Sequence, residues 1–229
     1  MTPPRCVALV PCAGIGARAA GGGPKQYAMV AGEPMVAHTL RALAGVKRIV
    51  ATLVVLSPDD ALFESALPGF DPAWAVRCGG ATRAQTVANG LDELASRGWR
   101  ADDWVLVHDA ARCLLRAEWV DRLIDACSGD AVGGLLALPI ADTLKSAQGD
   151  RVSATLDRRD KWAAQTPQMF RLGLLREALA AADEAVTDES SAIESLGFAP
   201  RLVPGEAENF KLTWPADFAL AERLLRTRA

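Results

Sequence analysis

From Cys6 to Pro139 the chain alternates short apolar, β-branched runs with amphipathic segments of helical period, and that alternation admits few folds. "CVALVP" (6–11), "RIVATLVVLS" (48–57), "AWAVRC" (73–78), "DWVLVHD" (103–109) and "AVGGLLALP" (131–139) read as strands. Residues 34–45, 58–67, 82–98 and 117–129 read as helices, the second opening at Pro58. Thr82 and Gln85 are expected to form a capping box on the third, whose apolar face is Ala84, Val87, Ala88, Leu91, Leu94 and Ala95. Buried strands joined through helices require a largely parallel sheet covered on both faces, an α/β fold. At 229 residues one domain, 1–229, with a full core is expected.

The rhythm fails at 140–162, which alternates weakly around a Gln148-Gly149-Asp150 turn and has too few apolar residues for a core. It reads as a β-hairpin arm. A polar hairpin of this kind is marginal alone, so it is expected to pack on a partner subunit. Helices follow near 172–183 and 188–196, short strands near 199–204 and 208–213, and a last helix from about 215.

Lys and Arg number 25 against 28 Asp and Glu, a net charge of -3. Such a chain has no general attraction for nucleic acid or an anionic membrane. Any anion it binds must be held by a few placed cations and backbone N–H groups. The five cysteines are widely spaced without a C-x-x-C pair, which reads as reduced thiols, and two histidines give little support to a zinc site. No apolar run approaches the roughly 20 residues of a membrane span. A cytoplasmic protein is expected.

The loop "PCAGIGARAAGGGPKQY" (11–27) looks like two phosphate-binding devices at once. Gly14, Gly16 and Ala19 fit a dinucleotide fingerprint, with Glu33 at about the distance of a ribose-binding acid. That motif needs an uninterrupted helix, and Gly21-Gly22-Gly23-Pro24 would break it after about one turn. No P-loop pattern occurs. As a triphosphate grip, Ala13, Gly14 and Gly16 let backbone N–H groups approach phosphate oxygens, while Arg18 and Lys25 bracket the glycine run. Two cations at that place suit phosphoryl or nucleotidyl transfer. Taken alone, the loop is equally a surface loop with solvated charges.

"PCAGIGARAAGGGPKQY", "GGATRAQTVANGL", "WVLVHDAAR", "ADTLK", "TLDRRDKWAAQTPQMF", "TDESSAIESLG" and "ENFKLTWPADFALAE" occur in that order from Val7 to Glu222. The ordered set resembles the 2-C-methyl-D-erythritol 4-phosphate cytidylyltransferases of isoprenoid precursor synthesis. The resemblance implies a three-layer α/β/α nucleotide-diphospho-sugar transferase domain whose arm locks a homodimer. It implies transfer of CMP from CTP to methylerythritol phosphate with Mg²⁺. Arg18 and Lys25 match the family's catalytic cations at the α-phosphate. The attacking phosphate is already ionised, so positioning dominates and no general base is needed. Pro11, Cys12, Ala13, Gly14, Gly16, Gly80, Ala81, Arg83, Thr86, Asp109 and Ala110 match the nucleotide-binding positions. Asp109, directly after a strand, suits the Mg²⁺ ligand or a helix cap. Arg112, Thr166, Thr187 and Lys211 resemble substrate-pocket residues, although Thr187 also opens a T-x-x-S helix cap. Thr143 and Arg158 match residues that reach across the dimer. His108 is expected to be structural.

Three positions depart from the family's usual residues. Ala81 stands in place of an acid, Cys113 in place of a proline, and Cys12 in place of an alanine. None removes a charge on which the implied chemistry depends. A ribitol 5-phosphate cytidylyltransferase is the nearest alternative; that branch tends to carry a bulkier residue at the position of Ala111. An NAD-dependent dehydrogenase and a non-catalytic scaffold are the readings from other classes. The further domain to which such enzymes are fused in some lineages is not expected in this chain.

Overall fold

The computed structural model describes residues 3–14, 23–182 and 186–228. It opens with β1 (Cys6–Cys12), a 3-10 turn (Lys25–Tyr27), the short strands β2 (Met29–Val30) and β3 (Glu33–Pro34), α1 (Met35–Ala44) and β4 (Ile49–Leu56). It continues with α2 (Phe63–Ala66), β5 (Ala75–Val76), α3 (Arg83–Ser96), β6 (Trp104–Val107), α4 (Ala117–Cys127) and β7 (Gly133–Pro139). Then come β8 (Leu144–Gln148), β9 (Arg151–Leu156), β10 (Trp162–Arg171), α5 (Leu172–Ala181), α6 (Glu189–Ser195), β11 (Arg201–Pro204) and α7 (Pro215–Arg226).

Seven strands form the main sheet in the order β11-β7-β10-β6-β1-β4-β5. All its pairings are parallel except those of β10, which runs against both β6 and β7. Side chains alternate across the pleat and feed two cores. Ala8, Val10, Val54, Leu56 and Leu106 pack with Leu40 and Leu43 of α1 and Trp119 and Leu123 of α4. Val7, Leu9, Leu53, Val55, Val105 and Val107 pack with α3, α5 and α6 through Val87, Leu91, Leu175 and Ile193. This is the expected three-layer α/β/α arrangement. Gly90 brings α3 onto the sheet: a Cβ there would lie 2.7 Å from a Val55 methyl and 2.8 Å from a Leu9 methyl. Among the described residues no helix is long and apolar enough to cross a membrane.

The hairpin is present as β8 and β9, a separate two-stranded ribbon turning through Gly149 at a φ of 61°. β9 is exposed along its whole length. The helix expected over 58–67 is confined to Phe63–Ala66. Asp60 takes the N–H groups of Leu62 and Phe63 on its side chain, which holds the preceding residues in a turn. The strand expected at 73–78 is cut to Ala75–Val76, because Pro72 opens a 3-10 turn capped by Asp71. Residues 208–213 form no strand; Asn209 donates its N–H to Glu206 in a turn, and Leu212 bonds back to Ala111. Of the Thr82/Gln85 capping box only half forms, Thr82 accepting the Gln85 N–H while the Gln85 amide turns to Asn89. The cap of α6 is Asp188 rather than Thr187.

β10 is the strand that the alternation does not reveal. Pro167 has no N–H to give a ladder, and the register with β7 slips between Ala164 and Gln168. The slip releases Thr166 to brace the end of β6. Its hydroxyl oxygen accepts the Asp109 N–H at 3.1 Å and lies 3.0 Å from His108 Nδ1. His108 Nε2 faces the Arg112 carbonyl at 3.2 Å, and a carbonyl only accepts, so Nε2 carries the proton and Nδ1 receives the Thr166 hydroxyl. Burial pushes the imidazole down to about 4, which keeps it neutral and structural.

A second brace sets the start of the sheet. Asp103, fully buried, accepts the backbone N–H of Arg5 at 2.8 Å and of Arg100 at 2.9 Å, and pairs with the Arg5 guanidinium at 2.6 Å. Burial works against its charge, but Arg5 and the two N–H groups more than offset this and hold its carboxyl below the ordinary value. Its contribution is therefore complete above the unfolded-state pKa near 3.9 and is lost as pH falls through the lower folded-state value. Asp103→Asn is expected to cost about 2 kcal/mol at neutral pH and to flatten the acid limb of stability against pH, measured by urea unfolding. Thr166→Val leaves the Asp109 N–H and His108 Nδ1 buried without a partner. A loss of about 1–3 kcal/mol is expected in the same assay, with Thr166→Ser close to wild type.

Candidate active site

The carboxyl ends of β1 and β6 lie side by side, and most of the described residues singled out from the sequence gather there. β1 delivers Pro11 and Cys12, with Ala13 and Gly14 just beyond. The loop before α3 lies against them, since a Cβ on Gly79 would sit 2.3 Å from that of Ala13 and 2.6 Å from the Leu56 carbonyl. Thr86, buried on the first turn of α3, accepts the Gly80 N–H at 3.1 Å and donates to the Thr82 carbonyl at 2.9 Å. A cavity of about 410 Å³ results, lined by Pro11, Cys12, Ala13, Gly14, Lys25, Gly80, Ala81, Arg83, Thr86, Asp109, Ala110 and Lys211, among others. Gly16 and Arg18 lie outside the described residues.

Asp109 is the electrostatic centre. Its carboxylate receives Arg83 Nε on one oxygen at 2.8 Å and Lys211 Nζ on the other at 2.8 Å. Burial raises the cost of that charge, yet the two cations outweigh it and hold the carboxyl far below the usual range. No helix begins at Asp109, so the capping alternative falls. Arg83 is held from behind by Glu189, whose oxygens take its two terminal nitrogens at 2.7 and 3.0 Å. Burial disfavours the guanidinium's charge, but Glu189 and Asp109 together keep it firmly protonated. Glu189 is 1% exposed, and burial and the nearby Asp109 push its carboxyl upward.

A smaller cavity of about 180 Å³ adjoins the first and shares Arg83, Asp109 and Lys211 with it. Arg112, Thr166 and Thr187 line it with Gln165, Gln168 and Asp188. Arg112 donates to the carbonyls of Asn209 and Ala164 at 2.7 and 3.2 Å, and its buried Nε has no partner among the described residues. Burial lowers its pKa, with the Asp109 charge opposing. Lys25, on the 3-10 turn, faces the Leu212 carbonyl on the opposite wall. Thr143 and Arg158 stand exposed at the base of the arm, Arg158 bonded to the Ala141 carbonyl, and neither lines either cavity.

Glu189, Gln168 and Gln26 are functional neighbours that motif spacing passes over. Gln168 binds the Ser190 N–H at 2.7 Å and Asp188 at 2.8 Å, so it fixes the helix that carries Glu189. Glu189 looks in sequence like an ordinary acidic first-turn residue; only its burial exposes the role. Cys12 and Cys113 are buried, the latter among Leu114, Leu212 and Met35, and burial pushes the Cys113 thiol up to about 12. Cys113 is therefore a packing residue. Another groove, of about 520 Å³, runs between α1 and the β4–β5 edge past Leu43, Phe70 and Trp74; none of the residues named from the sequence lines it.

A family model described as IspD, 2-C-methyl-D-erythritol 4-phosphate cytidylyltransferase, matches residues 6–227. The 2-C-methyl-D-erythritol 4-phosphate cytidylyltransferase of Laribacter hongkongensis is 55% identical over 230 residues, which is 96% of each chain. The bifunctional enzyme IspD/IspF of Albidiferax ferrireducens is 60% identical over 228 residues; the match takes in 100% of this chain, which spans 54% of that relative's length. A crystal structure of a 4-diphosphocytidyl-2C-methyl-D-erythritol synthase superposes with a TM-score of 0.87 at 41% identity, covering 98% of this chain and 100% of the other. With a match running from the first core strand into the last helix, the chain belongs to the 2-C-methyl-D-erythritol 4-phosphate cytidylyltransferase family of CTP-dependent nucleotidyltransferases.

Proposed function

We propose that this chain transfers CMP from CTP to 2-C-methyl-D-erythritol 4-phosphate by direct attack, and that its two joined cavities divide the reactants. The observation that carries this reading is their shared wall of Arg83, Asp109 and Lys211. The larger cavity, of about 410 Å³, has the size of a small-molecule site and is lined by Ala13, Gly14 and Lys25 and by the start of α3; it takes the nucleotide. The smaller one, with Arg112 and Lys211, takes the phosphate end of the acceptor. An acceptor phosphate oxygen then faces the α-phosphorus across the shared wall. It forms the new P–O bond as the bond to pyrophosphate breaks, and pyrophosphate carries the electron pair away.

No proton has to move, because the attacking phosphate is ionised at neutral pH, and this suits a site whose one buried histidine is kept neutral by burial. Lys25, and Arg18 by its match to the family, stabilise the charge that builds on the α-phosphate oxygens. Gly14 presents its backbone without a side chain, and among the described residues no atom lies within 4 Å of where its Cβ would stand. Mg²⁺ fits this donor set. Among the described residues no group of three acidic, His or Cys side chains gathers to hold a metal alone, but Mg²⁺ is commonly bound by one carboxylate plus substrate phosphates. Asp109 would be that carboxylate, and the ion would neutralise phosphate charge.

The arm, with Val152 and Leu156 exposed, packs on a second copy of the chain in this reading and brings Thr143 and Arg158 to the partner's acceptor site. The five free cysteines suit a reducing cytoplasm.

Pyrophosphate release with CTP and Mg²⁺ tests the reading. Release is expected with methylerythritol phosphate and not with ribitol 5-phosphate, in keeping with the small Ala111 on the cavity wall. Release with the ribitol compound alone would overturn the acceptor but leave the mechanism. Lys25→Ala is expected to lower kcat by about 10²–10³ with little change in the KM for CTP, the signature of a contact made in the transition state. Arg112→Ala is expected to act mainly on the KM for the acceptor.

A further inference from the structure

Lys25 stands on a 3-10 turn of three residues with no side-chain cap at Pro24. Its own backbone holds it by Tyr27 N–H to Pro24 at 3.1 Å and Ala28 N–H to Lys25 at 3.0 Å. So short a turn does not fix its direction by itself. The two side chains that follow Lys25 do. Gln26 is buried and donates its amide to the carbonyl of Cys12, at the end of β1, at 2.8 Å. Tyr27 packs its ring against the core beneath α1 and donates its hydroxyl to Asp60 Oδ2 at 2.6 Å.

Asp60 is itself held by several hydrogen bonds. Its other oxygen takes the N–H groups of Leu62 and Phe63 at 3.0 and 3.1 Å, and its carbonyl takes Arg77 Nε at 2.8 Å. Arg77 is anchored in turn on both oxygens of Glu64 at 2.6 and 2.7 Å. The turn is thus held to β1 on one side and to the connection between β4 and β5 on the other. Neither Tyr27 nor Asp60 lines either cavity of the site.

We infer that Tyr27, with Asp60 as its fixed acceptor, is a positioning residue for the reaction: it sets the pitch of the turn that aims Lys25 at the α-phosphate. The inference rests on the role given to Lys25 above. Losing the hydroxyl lets the turn rock about the Gln26 anchor. A displacement of about 1 Å can cost a hundredfold in rate, so a partial one is expected to cost about tenfold. Substrate binding, spread over many other contacts, stays nearly unchanged.

A kinetic double-mutant cycle on the full chain tests this, with CTP, Mg²⁺ and methylerythritol phosphate, after thermal unfolding has shown each variant folded. Tyr27→Phe is expected to lower kcat about tenfold and to leave the KM for CTP within about twofold. Asp60→Asn, which keeps an oxygen for the Leu62–Phe63 turn, is expected to give a smaller loss in the same direction. On a Lys25→Ala background Tyr27→Phe is expected to change kcat by less than about twofold, because the group it aims is gone. Multiplying losses in the double variant, or a Tyr27→Phe enzyme as fast as wild type, would overturn the inference while leaving the role of Lys25 intact. A Lys25→Ala enzyme with wild-type kcat would sink the role of Lys25 itself, and the positioning role with it. Should Tyr27→Phe prove unfolded at the assay temperature, Asp60→Asn takes its place in the cycle and the same outcomes decide.

Discussion

The charge on Asp109 is the constraint around which the rest of the structure is arranged. A carboxylate that is 8% exposed cannot remain ionised without cations at contact distance, and the chain supplies two, from the first turn of α3 and from the loop before α7. Arg83 would itself be a poorly compensated guanidinium without Glu189 behind it, which draws in the start of α6. Glu189 then depends on Gln168, which joins α6 to β10 through the Ser190 N–H and Asp188. One buried charge thereby ties together five segments far apart in sequence. Removing Arg83 would leave Glu189 buried without its cation and Asp109 with Lys211 alone, which costs more than the pair contributes.

The topology explains why this cluster lies where it does. β1 sits between β6 and β4, and the chain leaves it first towards β4 and β5, then crosses back to β6 on the other side. Connections departing in opposite directions open a crevice at the carboxyl ends of such strands, and ligands collect there. Ala13 and Gly14 after β1 and Asp109 after β6 form the two lips of that crevice. The antiparallel β10 closes its floor, and its slip in register sends Thr166 to hold the Asp109 backbone.

Most of the sheet was legible because buried parallel strands are apolar without interruption, and because Ala13, Gly14 and Asp109 sit where such sheets bind ligands. The parts that were not legible share a cause: side chains there override the local pattern. Pro167 hides β10, and the strand survives because its flanks still pair with β6 and β7. Asp60 gives its carboxylate to the N–H groups of Leu62 and Phe63 and to Tyr27, so the helix expected from Pro58 begins only at Phe63. Residues 208–213 look extended, yet Asn209 turns back to Glu206, Leu212 bonds to Ala111 and Lys211 pairs with Asp109. Glu189 has the profile of a solvated first-turn acid; only the position of Arg83 in three dimensions makes it a buried partner.

These overrides fall at the site because of what the site must do. A cation that is free to swing is screened by water and has to reorganise as charge develops, whereas one already held in place stabilises that charge without further motion. Holding it needs acceptors that cannot move either, which is why Arg83 is fixed between two buried carboxylates and Arg112 between two backbone carbonyls. The same logic extends to Lys25, whose turn is fastened through the residues next to it rather than by secondary structure. A chain with a net charge of -3 can therefore receive a triphosphate, because its binding field is local, built from a few cations whose positions are fixed by buried hydrogen bonds.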